Sequence, residues 1–145
     1  VDNCEDLKFE NNSFDLVYGT GIIHHLSTEK CVSEISRVLK KNGVIVFLEP
    51  LGTNPIINLY RRMTPKARSH DEHPLIKKDF EILKKNFNNL NIKYYGFLTL
   101  LLFLLYKEPS KSKVFKFLSL VDQNLFKLKV FQKLAWSVVI SAKKN

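Results

Sequence analysis

Residues 14–50 read FDLVYGTGIIHHLSTEKCVSEISRVLKKNGVIVFLEP, and this stretch decides the architecture. Phe14 to Tyr18 reads as a short strand, stopped by Gly19-Thr20-Gly21. Ser27 or Thr28 can cap a helix whose apolar positions include Val32, Ile35, Val38 and Leu39, which is helical spacing. Arg37, Lys40 and Lys41 suit the negative pole at its end, and Asn42-Gly43 breaks it. Residues 43–48 are then continuously apolar, as expected of a strand covered on both faces, and end at Glu49-Pro50. Strand, helix and strand at this spacing predict a parallel βαβ crossover. Ligands of such sheets bind at the carboxyl ends of the strands, here residues 18–21 and 49–52. Glycines at both places let a ligand approach the backbone closely.

Outward from this unit the pattern loosens. Residues 50–75 hold Pro55, Pro65 and Pro74 and read as a long irregular connection, which in a compact domain points to function. Residues 76–87 predict a helix and 91–97 a strand. Residues 111–134 predict one or two amphipathic helices, and 136–142 a closing strand. Residues 96–106 read GFLTLLLFLLY, too short for the roughly 20 residues that a spanning helix needs. They suit a buried core segment or an apolar pocket wall.

The net charge of +9 is unevenly placed. Residues 1–75 hold 9 Lys+Arg against 10 Asp+Glu, and residues 76–145 hold 14 basic residues, all Lys, against 4 acidic ones. Nucleic-acid readers favour Arg for bidentate contacts, so nucleic acid is the least favoured partner. Solvated surface charge is the favoured reading, with attraction to an anionic membrane surface as the alternative. The two cysteines, Cys4 and Cys31, have no CxxC or metal-ligand spacing, so neither a disulfide scaffold nor a metal site is expected. With no leading signal peptide and Val1 in place of Met, the expectation is a reducing cytoplasm and a missing true N-terminus.

Four motifs in order resemble one family. Asn3-Cys4-Glu5-Asp6-Leu7-Lys8-Phe9 followed by Ser13-Phe14-Asp15 resembles its turn before a strand, and Ile23-His24-His25-Leu26 its Leu-His-His-Leu-type segment. Glu34-Ile35-Ser36-Arg37-Val38-Leu39-Lys40-Lys41-Asn42-Gly43 resembles its Glu-Ile-x-Arg-Val-Leu-Lys-x-Gly-Gly helix end. The family is the class I S-adenosylmethionine-dependent methyltransferases, of the methyltransferase type 11 kind. The resemblance implies an α/β fold: the second half of a Rossmann-like sheet, with parallel strands, a C-terminal antiparallel pair and helical cap elements. Three parts are expected within one partial domain. Residues 1–50 form the core βαβ with cofactor-facing loops, 51–75 a lid or substrate loop, and 76–145 an acceptor-side region.

By the same resemblance, S-adenosylmethionine is the cofactor. Asn3 would accept from the adenine amino group where many members carry Asp, and the Cys4 N–H would face the ring. Gly19, Thr20 and Gly21 would lie along the methionine portion. Lys8 stands in place of the usual proline. Members begin with an upstream strand, Gly-x-Gly loop and acidic residue, so the expectation is a fragment that alone binds the cofactor poorly or not at all.

Methyl transfer is chiefly a matter of positioning, with a base needed only where the acceptor loses a proton. His24, His25 and Glu49 are the candidate catalytic residues, against structural roles in the loop for the histidines and a turn cap for Glu49. Tyr60, Arg61, Arg62 and His73 are candidates for the acceptor; the alternative is a lid network with Arg68, Asp71 and Glu72. His70 and His73 with Asp71 do not form a recognised metal pattern. The Phe- and Leu-rich segment from Phe97 to Phe131 favours a small hydrophobic or amphiphilic acceptor, unless those residues merely pack helices. Rival readings are a non-catalytic relative and a peripheral membrane-binding module.

Overall fold

The computed structural model describes residues 2–67, 69, 71–102, 108 and 112–144. Four strands form one mixed sheet: β1 (Phe14–Thr20), β2 (Leu39–Pro50), β3 (Phe87–Tyr95) and β4 (Ser137–Lys144). Their spatial order is β1-β2-β4-β3. The pair β1 and β2 is parallel, while β4 runs antiparallel to both of its neighbours. The chain end is thus inserted between β2 and β3, and Ile140 faces Phe47 on one side and Ile92 on the other. This is the parallel pair plus C-terminal antiparallel pair that the sequence suggested.

Helix α1 (Thr28–Val38) makes the crossover from β1 to β2. Its apolar residues Cys31, Val32, Ile35 and Val38 recur every three or four positions and are all buried. Cys31, Val32 and Ile35 meet Ile45 and Phe47 of β2 and Val138, Ile140 and Ala142 of β4 in one core. Period-two alternation along a strand places these strand residues on the same face. Leu83 of α3 (Lys77–Asn86) and Phe126, just after α5 (Lys113–Leu125), join the same core. The opposite face, carrying Leu16, Tyr18 and Leu48, is open, with Tyr18 78% exposed. Residues 43–48 are therefore apolar on both faces but fully covered on one, which corrects the expectation of double coverage.

Two further corrections concern element ends. The helix was expected to run through Lys41, yet β2 begins at Leu39, whose buried side chain and pairing with Phe14 outweigh helical continuation. Between the pairs Phe14–Leu39 and Leu16–Val44, β1 advances two residues and β2 five. Asn42, in the left-handed region at φ 64°, absorbs the excess inside the strand instead of ending the helix. Residues 50–75 were read as irregular but contain helix α2 (Pro55–Met63) and a 3-10 turn at Pro65–Ala67. Pro55 occupies the first turn, where no amide hydrogen is needed, and the Asn54 side chain accepts from the N–H groups of Ile56 (3.0 Å) and Ile57 (3.2 Å).

The C-terminal region is held by caps that come from elsewhere in the chain. Helix α4 (Leu98–Leu101) has no local cap; Asp122 of α5 accepts from the N–H groups of Phe97, Leu98 and Thr99 and from the Thr99 hydroxyl at 2.8 Å. Residues 111–134 contain two helices, α5 and the short α6 (Lys129–Gln132). Among the described residues, no helix is long and apolar enough to cross a membrane.

Candidate functional site

Parallel pairing brings the carboxyl ends of β1 and β2 together, with Thr20 opposite Leu48. The Gly21 N–H donates to the Leu48 carbonyl at 2.8 Å, and Gly21 then turns the chain at φ 61°, where a side chain would be strained. Gly19 is required for a different reason. A Cβ there would lie 2.8 Å from Cε1 of the buried Phe47 ring. Gly19 and Gly21 thus leave no side chain on either side of Thr20 at the strand ends, where a ligand can lie against backbone.

The chain leaves Gly21 into a 3-10 turn, Ile23–His25, whose open N–H groups converge on one side chain. Glu49 Oε1 accepts from Ile22 and Ile23 N–H, each at 3.0 Å, and Oε2 accepts from His24 N–H at 3.4 Å. His24 Nδ1 donates to Oε2 at 2.7 Å. Glu49 is 1% exposed and His24 8%, so the pair is internal. A buried carboxylate with no unused direction is stable only because every oxygen has such a donor. Glu49 therefore clamps the turn, and His24 is oriented by that clamp. The Glu49 carboxylate, a catalytic candidate from sequence, points inward to the turn that it clamps.

His25 is placed differently. Its ring lies 4.1 Å from that of His24, centroid to centroid, and is about one-third exposed. Nδ1 faces the Asp71 carboxylate at 3.4 Å and the Ser69 hydroxyl at 3.3 Å. The Ser69 hydroxyl first, then its own backbone N–H and His25, hold the Asp71 carboxyl below the ordinary aspartate range. With Nδ1 so engaged, Nε2 is the nitrogen left for a ligand. His73 closes the cluster through its backbone, donating to the His24 carbonyl at 2.7 Å. An open cleft of about 500 Å³ runs beside these strand ends, between Thr28, Gly52, Asn58, His73, Ile76 and Asp79.

The loop of residues 3–9 lies along α1. The Glu5 carboxylate accepts the Ser27 N–H at 2.6 Å, capping α1 where neither Ser27 nor Thr28 does so. The Thr28 hydroxyl instead donates to Asp79 at 2.7 Å. Glu34 accepts the Leu7 N–H at 3.0 Å, and Arg37 donates to the carbonyls of Leu7 and Phe9, each at 2.8 Å. Arg37 in turn binds Glu34, holding that carboxyl below its ordinary range. The sequence reading gave Arg37 to the helix dipole; its guanidinium is a loop anchor. Asn3 Oδ1 accepts from the Glu5 N–H at 3.0 Å and retains a second lone pair for a ligand. Cys4 is half-buried, with its sulfur 2.8 Å from that of Cys31.

Among the acceptor candidates, Arg61 is turned back, donating to the Leu51 carbonyl and to Asn58, each at 3.0 Å, so it straps α2 to the end of β2. Tyr60, 58% exposed, and the exposed Arg62 lie on α2 outside the histidine cluster. Arg68 and His70 lie outside the described residues, as do residues 103–106 of the apolar run. In the described part of that run Thr99 and Leu102 are buried, whereas Leu101 is exposed. Phe97 and Phe131 pair at 6.3 Å against the core. Among the described residues, no three His, Cys, Asp or Glu side chains stand close enough to hold a metal ion.

Glu5, Ser69 and Asp122 were not singled out from sequence, because each acts on a partner more than twenty residues away and has no local pattern.

Residues 1–47 match the sequence model of the methyltransferase domain family. The sarcosine/dimethylglycine N-methyltransferase of Aphanothece halophytica is 39% identical over 51 residues, covering 34% of this chain and 18% of that protein. Among solved structures, a possible histamine N-methyltransferase from Thermotoga maritima superposes with a TM-score of 0.65 at 15% identity. It covers 99% of this chain and 62% of that one. Haemonchus contortus phosphoethanolamine N-methyltransferase 2, with S-adenosylhomocysteine bound, gives 0.61 at 20% identity over 98% and 36% of the two chains. Geranyl diphosphate C-methyltransferase of Streptomyces coelicolor gives 0.63 at 16% identity over 100% and 50%. The chain thus spans between 18% and 62% of the length of these relatives.

Proposed function

We propose, for a chain whose first 47 residues match the methyltransferase domain family and whose fold is that of Rossmann-like S-adenosylmethionine-dependent methyltransferases, methyl transfer from S-adenosylmethionine to a small hydrophobic or amphiphilic acceptor. The observation that carries this reading is the glycine-flanked backbone of residues 19–21 at the carboxyl end of β1, within the matched segment. The cofactor lies along that backbone, its adenine against Asn3 and the Cys4 N–H. S-adenosylmethionine supplies a methyl group already activated by the sulfonium, so the protein's own work is placement. Glu49 and His24 position the turn. His25, steered by Asp71 and Ser69, takes the proton where the acceptor must lose one.

The apolar stripe Ile56, Leu59, Tyr60 and Met63 on α2, exposed and strapped to the end of β2 by Arg61, supports an acceptor with an apolar body. Structural relatives are named for acceptors as different as phosphoethanolamine and geranyl diphosphate, so the acceptor class rests on this chain's own surface.

The test is transfer of labelled methyl groups from S-adenosylmethionine to a panel of amphiphilic amines, phenols and isoprenoids by the protein carrying these residues. The expected result is turnover of an apolar-bodied acceptor, with kcat reduced by roughly 10²-fold or more in His25→Gln and KM nearly unchanged. Turnover confined to fully polar acceptors would contradict the acceptor class. Unchanged kcat in His25→Gln, on an acceptor that loses a proton, would contradict the base.

A second reading adds contact with an anionic membrane surface. Val114, Phe117, Leu120, Leu128 and Val130 are exposed among Lys113, Lys116, Lys127 and Lys129. Salt-sensitive sedimentation with phosphatidylserine vesicles would support it, and absence from the pellet at low salt would remove it.

A further inference from the structure

Two cysteines 27 residues apart in sequence meet at the start of α1, sulfur to sulfur at 2.8 Å, both as free thiols. That is closer than ordinary sulfur–sulfur van der Waals contact. A bond of about 2.0 Å requires the sulfurs to close by about 0.8 Å more. The segment that would have to hold still is already held. Glu5 binds the Ser27 N–H, Glu34 binds the Leu7 N–H, and Arg37 binds the Leu7 and Phe9 carbonyls. Cys31 is fully buried on α1, while Cys4 is half-buried on the loop.

We infer that Cys4 and Cys31 form a reversible redox pair, oxidised by hydrogen peroxide to an intramolecular disulfide that staples the residue 3–9 loop to α1. The Cys4 thiolate attacks the peroxide O–O bond. Cys4 becomes a sulfenic acid, and the departing oxygen leaves as water after taking up a proton. The Cys31 sulfur then attacks the Cys4 sulfur, forming the S–S bond, and the Cys31 proton leaves with the sulfenic hydroxyl as a second water. Two thiols are oxidised by two electrons and one peroxide is reduced.

The division of labour follows from surroundings. The hydrogen bond from Cys31 lowers the Cys4 thiol below its ordinary range, against the opposing effects of burial, Glu34 and Glu5. The same bond first, and then burial, raises Cys31, which remains the protonated partner. Cys4 is thus the attacking thiol and Cys31 the resolving one. The inference is independent of the cofactor reading, since it needs neither ligand nor turnover.

The experiment is peroxide treatment of the 145-residue chain, followed by iodoacetamide alkylation, intact mass measurement and non-reducing tryptic mapping. The expected product is a monomer lighter by about 2 Da, with no alkylatable thiol. The peptide ending at Lys8 is expected joined to the peptide of residues 31–37, and dithiothreitol restores both thiols. In Cys31→Ala the Cys4 sulfenic acid persists long enough for dimedone to trap it, whereas in the parent chain it does not. The inference is overturned if Cys31 remains alkylatable while Cys4 gains oxygen, if both thiols survive, or if chains link to one another. The parent-chain result decides the matter even if the core variant fails to fold.

Discussion

Glu49 shows how a single residue organises the strand ends. Its two oxygens satisfy three backbone N–H groups and the His24 ring. Removing one partner of a buried pair leaves the other charge or donors stranded, so Glu49→Ala is expected to cost about 3–5 kcal/mol. Glu49→Gln, which keeps one acceptor oxygen, is expected to cost less; urea unfolding measures both. Glu34 offers a test by pH. Arg37 holds its carboxyl below the ordinary value of 4.5, so the folded state binds its proton less readily than the unfolded one. The resulting stabilisation is full above 4.5 and is lost as pH falls through the depressed folded value. Thermal melts of the parent and of Glu34→Gln should therefore differ at neutral pH and converge as the pH falls through that depressed value. A constant difference across that window would mean that the Leu7 contact does not depend on Glu34 ionisation.

At the scale of elements, what was legible in sequence depended on whether the controlling partner was near. Strand β1, helix α1 and helix α3 declare themselves through local period and turn residues, and they formed within a few residues of expectation. Helix α2 carried both start signals, Asn54 and Pro55, yet its three nearby prolines dominated the reading and the helix was missed. The beginning of β2 was hidden because the pairing of Leu39 with Phe14 overrides a helical pattern that continues to Lys41. Helix α4 is four residues long and starts without a local cap; only Asp122, more than twenty residues away, ends its open amides. Asp122→Ala strands three N–H groups and a hydroxyl, an expected loss of about 3 kcal/mol. Hydrogen exchange should then rise at residues 97–99 before it rises in the sheet. Exchange unchanged at those amides would show that α4 is held by packing instead. The candidate site divides the same way. Glycines and histidines were visible as types and spacing, but which histidine faces inward is set by Glu49 and Asp71, each from another element.

For the whole molecule, the sheet order places β1 at one edge with β2 beside it, while the core lies on one face and the other remains open. The central claim is that this edge is a cofactor-facing surface. At 16.9 kDa the chain suits residue-resolved NMR, which registers weak binding as well as tight. The deciding measurement is an amide spectrum of the ¹⁵N-labelled chain titrated with S-adenosylhomocysteine. The account predicts saturable shifts concentrated at Asn3, Cys4, Gly19, Thr20, Gly21 and Ile22, with little change in α3 or β3. No shift at high ligand concentration, or shifts centred on α5 and the face of β3, would contradict it.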